Sequence, residues 1–264
     1  MLKRAINKAL RAAGKELTTT EELNFYRNLD NASILYSELP QDRRELIAPY
    51  LPYSKAQLAQ DLFALAFAGT TSPRFFVEFG ATDGIKLSNT YLLEKELGWN
   101  GILAEPAKTW HNSLRENRSC IINTKCVART SGCKYKFLEV DNTTSGSAEL
   151  SGIKDFANNG DWASKVRLDT SREYEVETIS LDDLLEAHNA PSDIQFLSLD
   201  TEGSELSILE GYNFERRTIR SICVEHNYVR NTQKAINALL REKGYKQVLQ
   251  RVSKWDDWYV LDNN

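Results

Sequence analysis

The chain has 264 residues, of which 41% are hydrophobic and 27% charged, and its formal net charge at pH 7 is −4. This length suits one large domain, or one domain with a smaller extension, and the composition is that of an ordinary globular protein. It excludes a disordered chain, a collagen-like repeat and a disulfide scaffold. The acidic balance argues against nucleic acid as a partner, so we expect a small molecule or a neutral surface instead.

The opening segment, residues 1–16, lacks the apolar stretch of a secretory signal. We therefore expect a cytoplasmic protein with reduced cysteines. The longest apolar run, Leu62–Ala68, is far shorter than a membrane-spanning helix, so no transmembrane segment is expected. Residues 2–13 predict a weakly amphipathic helix, which either rests on an anionic membrane surface or packs as an ordinary terminal helix.

Residues 1–70 are predicted to form a helical extension. Prolines break its first part into short helices, and apolar residues then recur at helical spacing until Gly69 ends the pattern. At Arg74 the pattern changes to short aromatic and apolar runs, which are typical of buried strands. The remainder, residues 71–264, is therefore interpreted as the main domain.

An insertion at about residues 132–180 interrupts the main domain. Two segments in it, Lys134–Val140 and Tyr174–Ile179, alternate in polarity as half-buried strands do. The polar stretch between them, Asn142–Asp161, is rich in small polar residues. It forms either a lid over a substrate or an ordinary exposed loop.

Outside the insertion, apolar segments alternate with amphipathic ones along the main domain. This alternation indicates β-α-β units and hence a parallel sheet. The last two apolar segments, Tyr245–Val252 and Trp258–Leu261, predict an antiparallel hairpin. The other predicted elements are strand Phe75–Phe79, helix Ser88–Leu97, strand Gly101–Ala104, helix Ala107–Asn117, strand Cys120–Ala128, strand Ile194–Leu199, helix Ser204–Glu210, strand Ile219–Val224 and helix Thr232–Lys243.

Acidic residues mark four of the predicted strand ends. In an open parallel sheet, ligands bind beyond the carboxyl ends of the strands, near the point where the strand order reverses. Carboxylates gathered there would repel one another unless a ligand supplied hydrogen-bond donors or positive charge. The sequence therefore predicts a cationic or hydroxyl-rich ligand. The acidic residues concerned are Glu78, Glu105, Asp200, Glu202 and Glu225.

A glycine turn with the spacing Gly80-x-x-x-Gly84 follows the first predicted strand. These glycines let the backbone approach a ligand closely, but the third glycine of a dinucleotide-binding Gly-x-Gly-x-x-Gly turn is missing. Glu105, at the end of the second strand, stands where a ribose-binding acid belongs. Together the turn and this acid favour a nucleoside without a pyrophosphate, and S-adenosylmethionine is the common ligand of that kind.

The main domain contains Phe76-Val-Glu-Phe-Gly-Ala-Thr-Asp-Gly84, Ser88-Asn-Thr-Tyr91, Gly98-Trp-Asn-Gly-Ile-Leu-Ala-Glu-Pro106, Val176-Glu-Thr-Ile-Ser-Leu-Asp-Asp-Leu184, Leu197-Ser-Leu-Asp-Thr-Glu-Gly-Ser-Glu205 and Val224-Glu-His-Asn227. Together these motifs resemble the FkbM family of S-adenosylmethionine-dependent methyltransferases, from about Arg74 to the C-terminus. The resemblance implies a Rossmann-like class I methyltransferase fold, with a seven-stranded, mostly parallel sheet and an antiparallel C-terminal hairpin. It also implies O-methylation of a sugar, glycan or secondary-metabolite hydroxyl.

Roles for individual residues also follow from the resemblance. Glu105 would hold the ribose hydroxyls of the cofactor, with two acceptor oxygens facing two donors. The first turn and Asn89 would surround the methionine part, and the ends of the second and third strands would border the adenine. The expected cofactor-binding residues are Glu78, Gly80, Asp83, Gly84, Asn89, Glu105, Pro106 and Ala128.

The methyl donor already carries a sulfonium, so the protein needs mainly to align the acceptor and remove its hydroxyl proton. His226 is the first candidate for the base, because the ordinary pKa of histidine lies near neutrality. Asp200 or Glu202 could instead be the base, or could orient the histidine. A divalent metal is an open alternative, with Asp200, Glu202 and Glu225 as oxygen ligands.

Two other hypotheses belong to different functional classes. One is a nicotinamide-dependent oxidoreductase on a Rossmann-like fold, which the missing glycine motif disfavours. The other is a noncatalytic binding module. The carboxylates at the strand ends and His226 disfavour it, because a scaffold has no need of them.

Overall fold

The fold is organised by a sheet whose strands alternate with helices along the chain. The computed structural model describes residues 20–69, 73–141, 148–158 and 160–262, the side chains of residues 20–28 excepted. The predicted amphipathic helix at residues 2–13 lies outside the described residues. So does part of the predicted polar loop.

The described strands are β1 (Phe75–Phe79), β2 (Asn100–Ala104), β3 (Ile121–Asn123), β4 (Cys126–Val127), β5 (Lys134–Val140), β6 (Gly152–Ile153), β7 (Ser171–Ile179), β8 (Asp193–Leu199), β9 (Thr218–Glu225), β10 (Tyr245–Val248) and β11 (Asp256–Leu261). The described helices are α1 (Thr20–Glu38), α2 (Gln41–Ile47), α3 (Gln60–Phe67), α4 (Tyr91–Lys95), α5 (His111–Asn117), α6 (Ser164–Thr170), α7 (Leu181–Ala187), α8 (Glu205–Gly211), α9 (Arg230–Glu242) and α10 (Gln250–Ser253). Short 3₁₀ helices lie at Ala48–Tyr53, Lys108–Trp110, Ala148–Leu150 and Lys154–Phe156. Within these described ranges, no helix combines the length and the apolar character needed to cross a membrane.

The main sheet has seven strands, in the order β10-β11-β9-β8-β1-β2-β3. The five strands from β9 to β3 run parallel, and β11 lies antiparallel between β9 and β10. This confirms the predicted α/β fold with a mostly parallel sheet and a C-terminal antiparallel hairpin. The strand order reverses between β1 and β8, so a crevice is expected beyond the carboxyl ends of these two strands.

Helix α4 begins three residues later than the sequence pattern predicts. Ser88, where the helix was predicted to begin, donates its hydroxyl proton to Glu78 Oε2 at 3.1 Å, and Thr90 also donates to this oxygen. These hydroxyls therefore hold a buried carboxylate of β1 instead of the first turn of a helix. The helix starts only at Tyr91.

The predicted third strand, Cys120–Ala128, is two strands that belong to different sheets. Asn123 Oδ1 accepts a hydrogen bond from the backbone N–H of Lys125 at 2.9 Å, which forms a turn between β3 and β4. The first strand of the hairpin also ends early. Leu249 adopts a left-handed conformation (φ +55°) that breaks the extended run and begins α10.

Residues of the predicted insertion form three strands of a second sheet, in the order β4-β7-β5-β6, and β4, just before the insertion, is its fourth strand. β5 and β7 are the two segments whose alternating polarity predicts strands, and they pair antiparallel. The short strand β6 continues from the turn at Ala148–Leu150, and these residues reach the carboxyl end of the main sheet. The second sheet therefore closes one side of the crevice.

The described part of the N-terminal extension covers one face of the main sheet. The Phe63 ring on α3 stacks on Trp258 of β11, with 4.8 Å between ring centroids, and meets Phe196 of β8 edge-on at 6.5 Å. Trp258 and Phe63 are both fully buried. The extension therefore shares a hydrophobic core with the sheet, and the first residue of α3, Gln60, lies at the carboxyl edge.

We expect Trp258→Ala to lower the free energy of unfolding by about 3–5 kcal/mol, because it leaves a large cavity between α3 and the sheet. Urea denaturation provides the measurement. Trp162→Ala is the matched control, since the Trp162 side chain is 70% exposed. Its effect should stay within about 0.5 kcal/mol. Equal losses for the two variants would contradict the packing described here.

Candidate active site

A cavity of about 430 Å³ lies at the carboxyl ends of β1, β2, β8 and β9. This volume is ordinary for a site that encloses a small molecule. The second sheet supplies part of its wall through Ala148–Leu150 and Ile153. The N-terminal extension supplies another part through Gln57 and Gln60. Three separate segments of the chain therefore meet around the crevice of the main sheet.

Glu105 closes the cavity at the end of β2 and is buried. Its Oε2 accepts a hydrogen bond from the Thr82 N–H at 2.8 Å, and its Oε1 accepts one from the Ala107 N–H at 2.8 Å. Burial outweighs these two bonds and raises the pKa of Glu105 to about 7. A carboxylate has lone pairs for about four donors, so this side chain keeps capacity for a ligand diol.

Close packing requires glycine at two positions of the turn after β1. Gly80 adopts φ +77°, and a Cβ there would lie 2.1 Å from the backbone oxygen of Asp200. Gly84 adopts φ +80° and packs instead against Leu114 on α5, where a Cβ would meet Cδ1 at 2.7 Å. Gly80 thus lets the turn approach β8 beside the cavity, whereas Gly84 fits the turn to a helix.

Asp83 also supports this turn. Its Oδ1 accepts hydrogen bonds from the backbone N–H groups of Ile85 and Lys86, each at 2.8 Å. Neither Asp83 nor Gly84 lines the cavity in the described structure, although both were predicted to bind the cofactor. The structure therefore places these two residues behind the wall that Gly80 forms.

Glu78 and Asn89 form the wall beneath the turn. Glu78 Oε1 accepts a hydrogen bond from the Asn89 N–H at 2.7 Å, so the strand carboxylate fixes the segment that carries Asn89. The Asn89 amide donates to Ser198 Oγ at 2.8 Å. Its Oδ1 has no hydrogen-bond partner within the described residues. A buried acceptor in that state would be satisfied by a ligand donor that reached this wall.

Three carboxylates, those of Asp200, Glu202 and Glu225, gather on the opposite side of the cavity. Each can offer one oxygen so that all three oxygens lie within 4.8 Å of one another. Burial, with the charges of Asp256 and Glu205, raises the pKa of Asp200 to about 8. Burial and the charge of Asp200 also raise the pKa values of Glu202 and Glu225. The free site therefore retains protons that separated carboxyl groups would lose.

The Asp-x-Glu-Gly-x-Glu segment after β8 owes its shape to its last acid. Glu205 Oε1 accepts hydrogen bonds from the N–H groups of Thr201 at 2.8 Å and Gly203 at 3.1 Å, which closes the loop. Glu202 is held at φ +60° and Gly203 at φ +119°, in the left-handed region. The loop consequently presents both Asp200 and Glu202 to the cavity.

Two buried arginines hold the site together, and neither belongs to the residues predicted from the sequence. Arg167 on α6 donates to Glu202 Oε2 at 2.6 Å and pairs with Asp161, so the insertion neutralises a cavity carboxylate. Arg118, after α5, donates to Glu94 Oε2 at 2.6 Å and to Ser88 Oγ at 3.0 Å. No sequence motif marks these arginines, because their partners Glu202, Glu94 and Ser88 are distant along the chain.

His226 lies behind Glu225 and lines a separate void of about 10 Å³. It is buried, and its Nδ1 accepts a hydrogen bond from the Tyr228 N–H at 3.0 Å. Its Nε2 lies 3.2 Å from Gln233 Nε2 and 3.5 Å from Asp257 Oδ1. Among the residues described, His226 is not part of the main cavity wall, so its role as the base stays a prediction.

Of the two remaining predicted cofactor-binding residues, one lines the cavity and the other does not. Pro106 lines the cavity beside Glu105. Ala128 does not belong to the described wall, where Cys126 and Val127 of β4 stand instead. The turn between β3 and β4 explains this difference, because it carries the chain into the second sheet before residue 128.

The sheet order and the cavity at the strand reversal are consistent with the methyltransferase fold. The family model described as the methyltransferase FkbM domain matches residues 78–246, which is more than half of the chain. The chain therefore belongs to the FkbM family and is a methyltransferase, which confirms the resemblance carried by its motifs. The crystal structure of methyltransferase FkbM from Methylobacillus flagellatus KT is a structural neighbour, with 13% identity and a TM-score of 0.47. The alignment covers 97% of this chain and 70% of that one. Among the curated proteins no match is found.

The raised pKa of Glu105 predicts how stability depends on pH. Because the folded-state pKa of about 7 lies above the ordinary value of 4.5, the stability contribution of Glu105 is fully present below pH 4.5. It is lost as the pH rises through 7. The free energy of unfolding of the ligand-free protein should therefore fall from about pH 4.5 to about pH 8, with a share of roughly 3 kcal/mol from Glu105.

Urea denaturation of Glu105→Gln across this range should show a smaller fall than the wild type. The amide must point an N–H at one backbone donor, which costs stability at every pH, so the slope is the quantity to compare. Glu96→Gln, at an exposed position, should keep the wild-type slope. A Glu105→Gln slope equal to that of the wild type would contradict the assignment.

Proposed function

We propose that the protein transfers the methyl group of S-adenosylmethionine to a hydroxyl group, on a sugar, glycan or secondary-metabolite intermediate. The observation that carries this proposal is the cavity at the strand reversal, with Glu105 on one side and the Asp200 cluster on the other. One side has the chemistry to hold a nucleoside diol, and the other has the chemistry to take up a proton.

The residues around β1 and β2 fit the cofactor. Glu105 would accept hydrogen bonds from the two ribose hydroxyls with the lone pairs that Thr82 and Ala107 leave available. Gly80 lets the first turn pack against Asp200 beside the cavity. Asn89 Oδ1 would accept a hydrogen bond from the cofactor's ammonium group. When bound, the cofactor supplies a methyl group on a sulfonium, which leaves as neutral S-adenosylhomocysteine once the methyl is transferred.

The acceptor hydroxyl must lose its proton as its oxygen takes the methyl group. In our proposal Asp200, which lines the cavity, accepts this proton. Its pKa of about 8 in the free protein would be lowered by the positive charge of the bound cofactor, so that it loses its own proton on cofactor binding and is ionised when the acceptor reacts. Glu225, hydrogen-bonded to Asp200, shares the proton afterwards. Arg167 holds Glu202 in place at the edge of this pair. The position of His226 behind Glu225 favours Asp200 over the histidine.

The same cluster also fits a divalent cation such as Mg²⁺. Asp200, Glu202 and Glu225 are hard oxygen donors, and their oxygens lie close enough together to share an ion. A cation there would lower the pKa of an acceptor hydroxyl. Activity that survives exhaustive chelation assigns proton removal to the carboxylates alone. Activity that is lost on chelation and returns with Mg²⁺ assigns it to a cation site.

Cofactor binding can be tested without knowledge of the acceptor. Calorimetry should detect binding of S-adenosylmethionine to the wild type and no binding of NAD, since the first turn lacks the dinucleotide motif. Glu105→Gln should weaken S-adenosylmethionine binding on the order of tenfold to a hundredfold, because it removes charge-assisted hydrogen bonds. Glu96→Gln should bind as the wild type does. Tight NAD binding without S-adenosylmethionine binding would reverse the proposal in favour of an oxidoreductase.

The chemical step depends on Asp200 in this account. With an acceptor that the wild type methylates, Asp200→Asn should lower kcat by about a hundredfold to ten-thousandfold. Its affinity for S-adenosylmethionine should change only a few fold. The control is Asp193→Asn, at the opposite end of the same strand, where the carboxylate pairs with Arg220. A kcat that Asp200→Asn leaves intact, with a large loss in His226→Ala, would transfer the role of the base to the histidine.

A further inference from the structure

The charged residue types in the described wall of the main cavity are all acidic. Among the described residues that line it, none is a lysine, an arginine or a histidine. The cation closest to the cluster in the hydrogen-bond network, Arg167, is fully buried behind Glu202, and its charge is taken up by Glu202 and Asp161. The acids that line the cavity are Glu78, Glu105, Glu149, Asp200, Glu202, Glu225 and Asp256.

The two sides of the cavity have different tasks if the proposed function holds. The side at β1 and β2 carries the residues that fit the cofactor, so the acceptor enters against β8, β9 and the start of β11. Part of this second wall comes from outside residues 78–246, the region matched by the family model. The residues from outside are Gln57, Gln60, Trp255 and Asp256.

Gln60 and Asp256 form a rigid unit in this wall. The Gln60 amide donates to Asp256 Oδ2 at 2.9 Å, and its Oε1 accepts from the Leu58 N–H at 2.8 Å. Both side chains are buried, with exposed fractions of 3% and 5%. Asp61 fixes the same segment, because its carboxylate accepts from Ser54 Oγ at 2.6 Å and from the Lys55 N–H at 3.1 Å. The extension therefore holds a carboxylate and an amide in place before any acceptor arrives.

We propose that this wall selects an acceptor ring that is rich in hydroxyls and carries no negative charge, and that Asp256 sets this selection. Neutral rings and rings with an amine are accepted, whereas phosphorylated and carboxylated rings are rejected. The inference rests on the proposed function and adds the charge class of the acceptor to it.

The physical basis is the balance between lost hydration and new contacts. A hydroxyl-rich ring finds acceptors in the carboxylates, donors in the amides of Gln57 and Asn227, and an aromatic surface in Trp255. An anionic group would lose its water beside several carboxylates, with no cation in the described wall to pair with it. Such a group would also repel Asp256 directly.

The test is an acceptor panel of methyl hexopyranosides, each with its 2-amino, 6-phosphate and uronic-acid counterparts. Formation of S-adenosylhomocysteine measures turnover, and calorimetry on protein loaded with S-adenosylhomocysteine measures binding. Assays at about pH 8 keep Asp256 ionised, because burial raises its pKa only to about 6. We expect turnover or binding among the neutral and amino members, and a much lower kcat/KM and weaker binding for their phosphorylated and carboxylated counterparts.

The variant Asp256→Asn should raise kcat/KM for anionic members relative to neutral ones on the order of tenfold. Asp257→Asn is the matched control. Asp257 is the next residue of β11 and is also buried, but its carboxylate accepts from Gln247 at 2.6 Å and does not belong to the described cavity wall. Its anionic-to-neutral ratio should equal that of the wild type.

Three results would overturn the inference while leaving the proposed function intact, provided that S-adenosylmethionine binds. They are preferred turnover of anionic members, an unchanged ratio in Asp256→Asn, and a failure of every neutral and amino member to bind or react. If S-adenosylmethionine itself does not bind, the proposed function fails and the inference fails with it.

Discussion

The mutual repulsion of buried carboxylates is the constraint on which the site depends. Asp200, Glu202 and Glu225 share one small volume at the ends of neighbouring strands, and Glu105 stands across the cavity. Carboxyl groups buried this close together cannot all be ionised unless cations or hydrogen-bond donors stabilise their charges; otherwise some of them keep their protons. In the free protein their raised pKa values show that protons meet part of this need. A methyl donor with a sulfonium and two ribose hydroxyls would meet the rest.

Much of the surrounding structure serves to hold these acids in place. Glu205 closes the loop after β8, Arg167 reaches in from the insertion, and Gly80 brings the first turn against Asp200. Gln60 of the N-terminal extension fixes Asp256 from the other side. The insertion and the extension are thus part of the site's wall. The described part of the extension lies outside residues 78–246, the region matched by the family model, whereas the insertion lies within it.

The sequence predicted the features that depend on local pattern. The alternation of strands and helices predicted the parallel sheet. The positions of the strand ends predicted the acidic residues of the cavity, because the carboxyl ends of parallel strands meet at one edge of the sheet. Features that depend on tertiary pairing could not be predicted. Arg118 and Arg167 meet Glu94 and Glu202 only in the folded chain. Ser88, predicted to begin a helix, donates its hydroxyl proton to Glu78 instead. His226 follows a strand end but turns away from the cavity, since neighbouring groups occupy both of its nitrogens.

The most direct test of this account is the change in bound protons when S-adenosylmethionine binds. Calorimetry near pH 7 in buffers of different ionisation enthalpy measures that change. A cationic ligand beside protonated carboxyl groups lowers their pKa values, so the account predicts that protons are released on binding. The release should shrink in Asp200→Asn. Binding with no proton release, or with proton uptake, would contradict the claim that the strand-end carboxylates are the groups that receive the cofactor's charge.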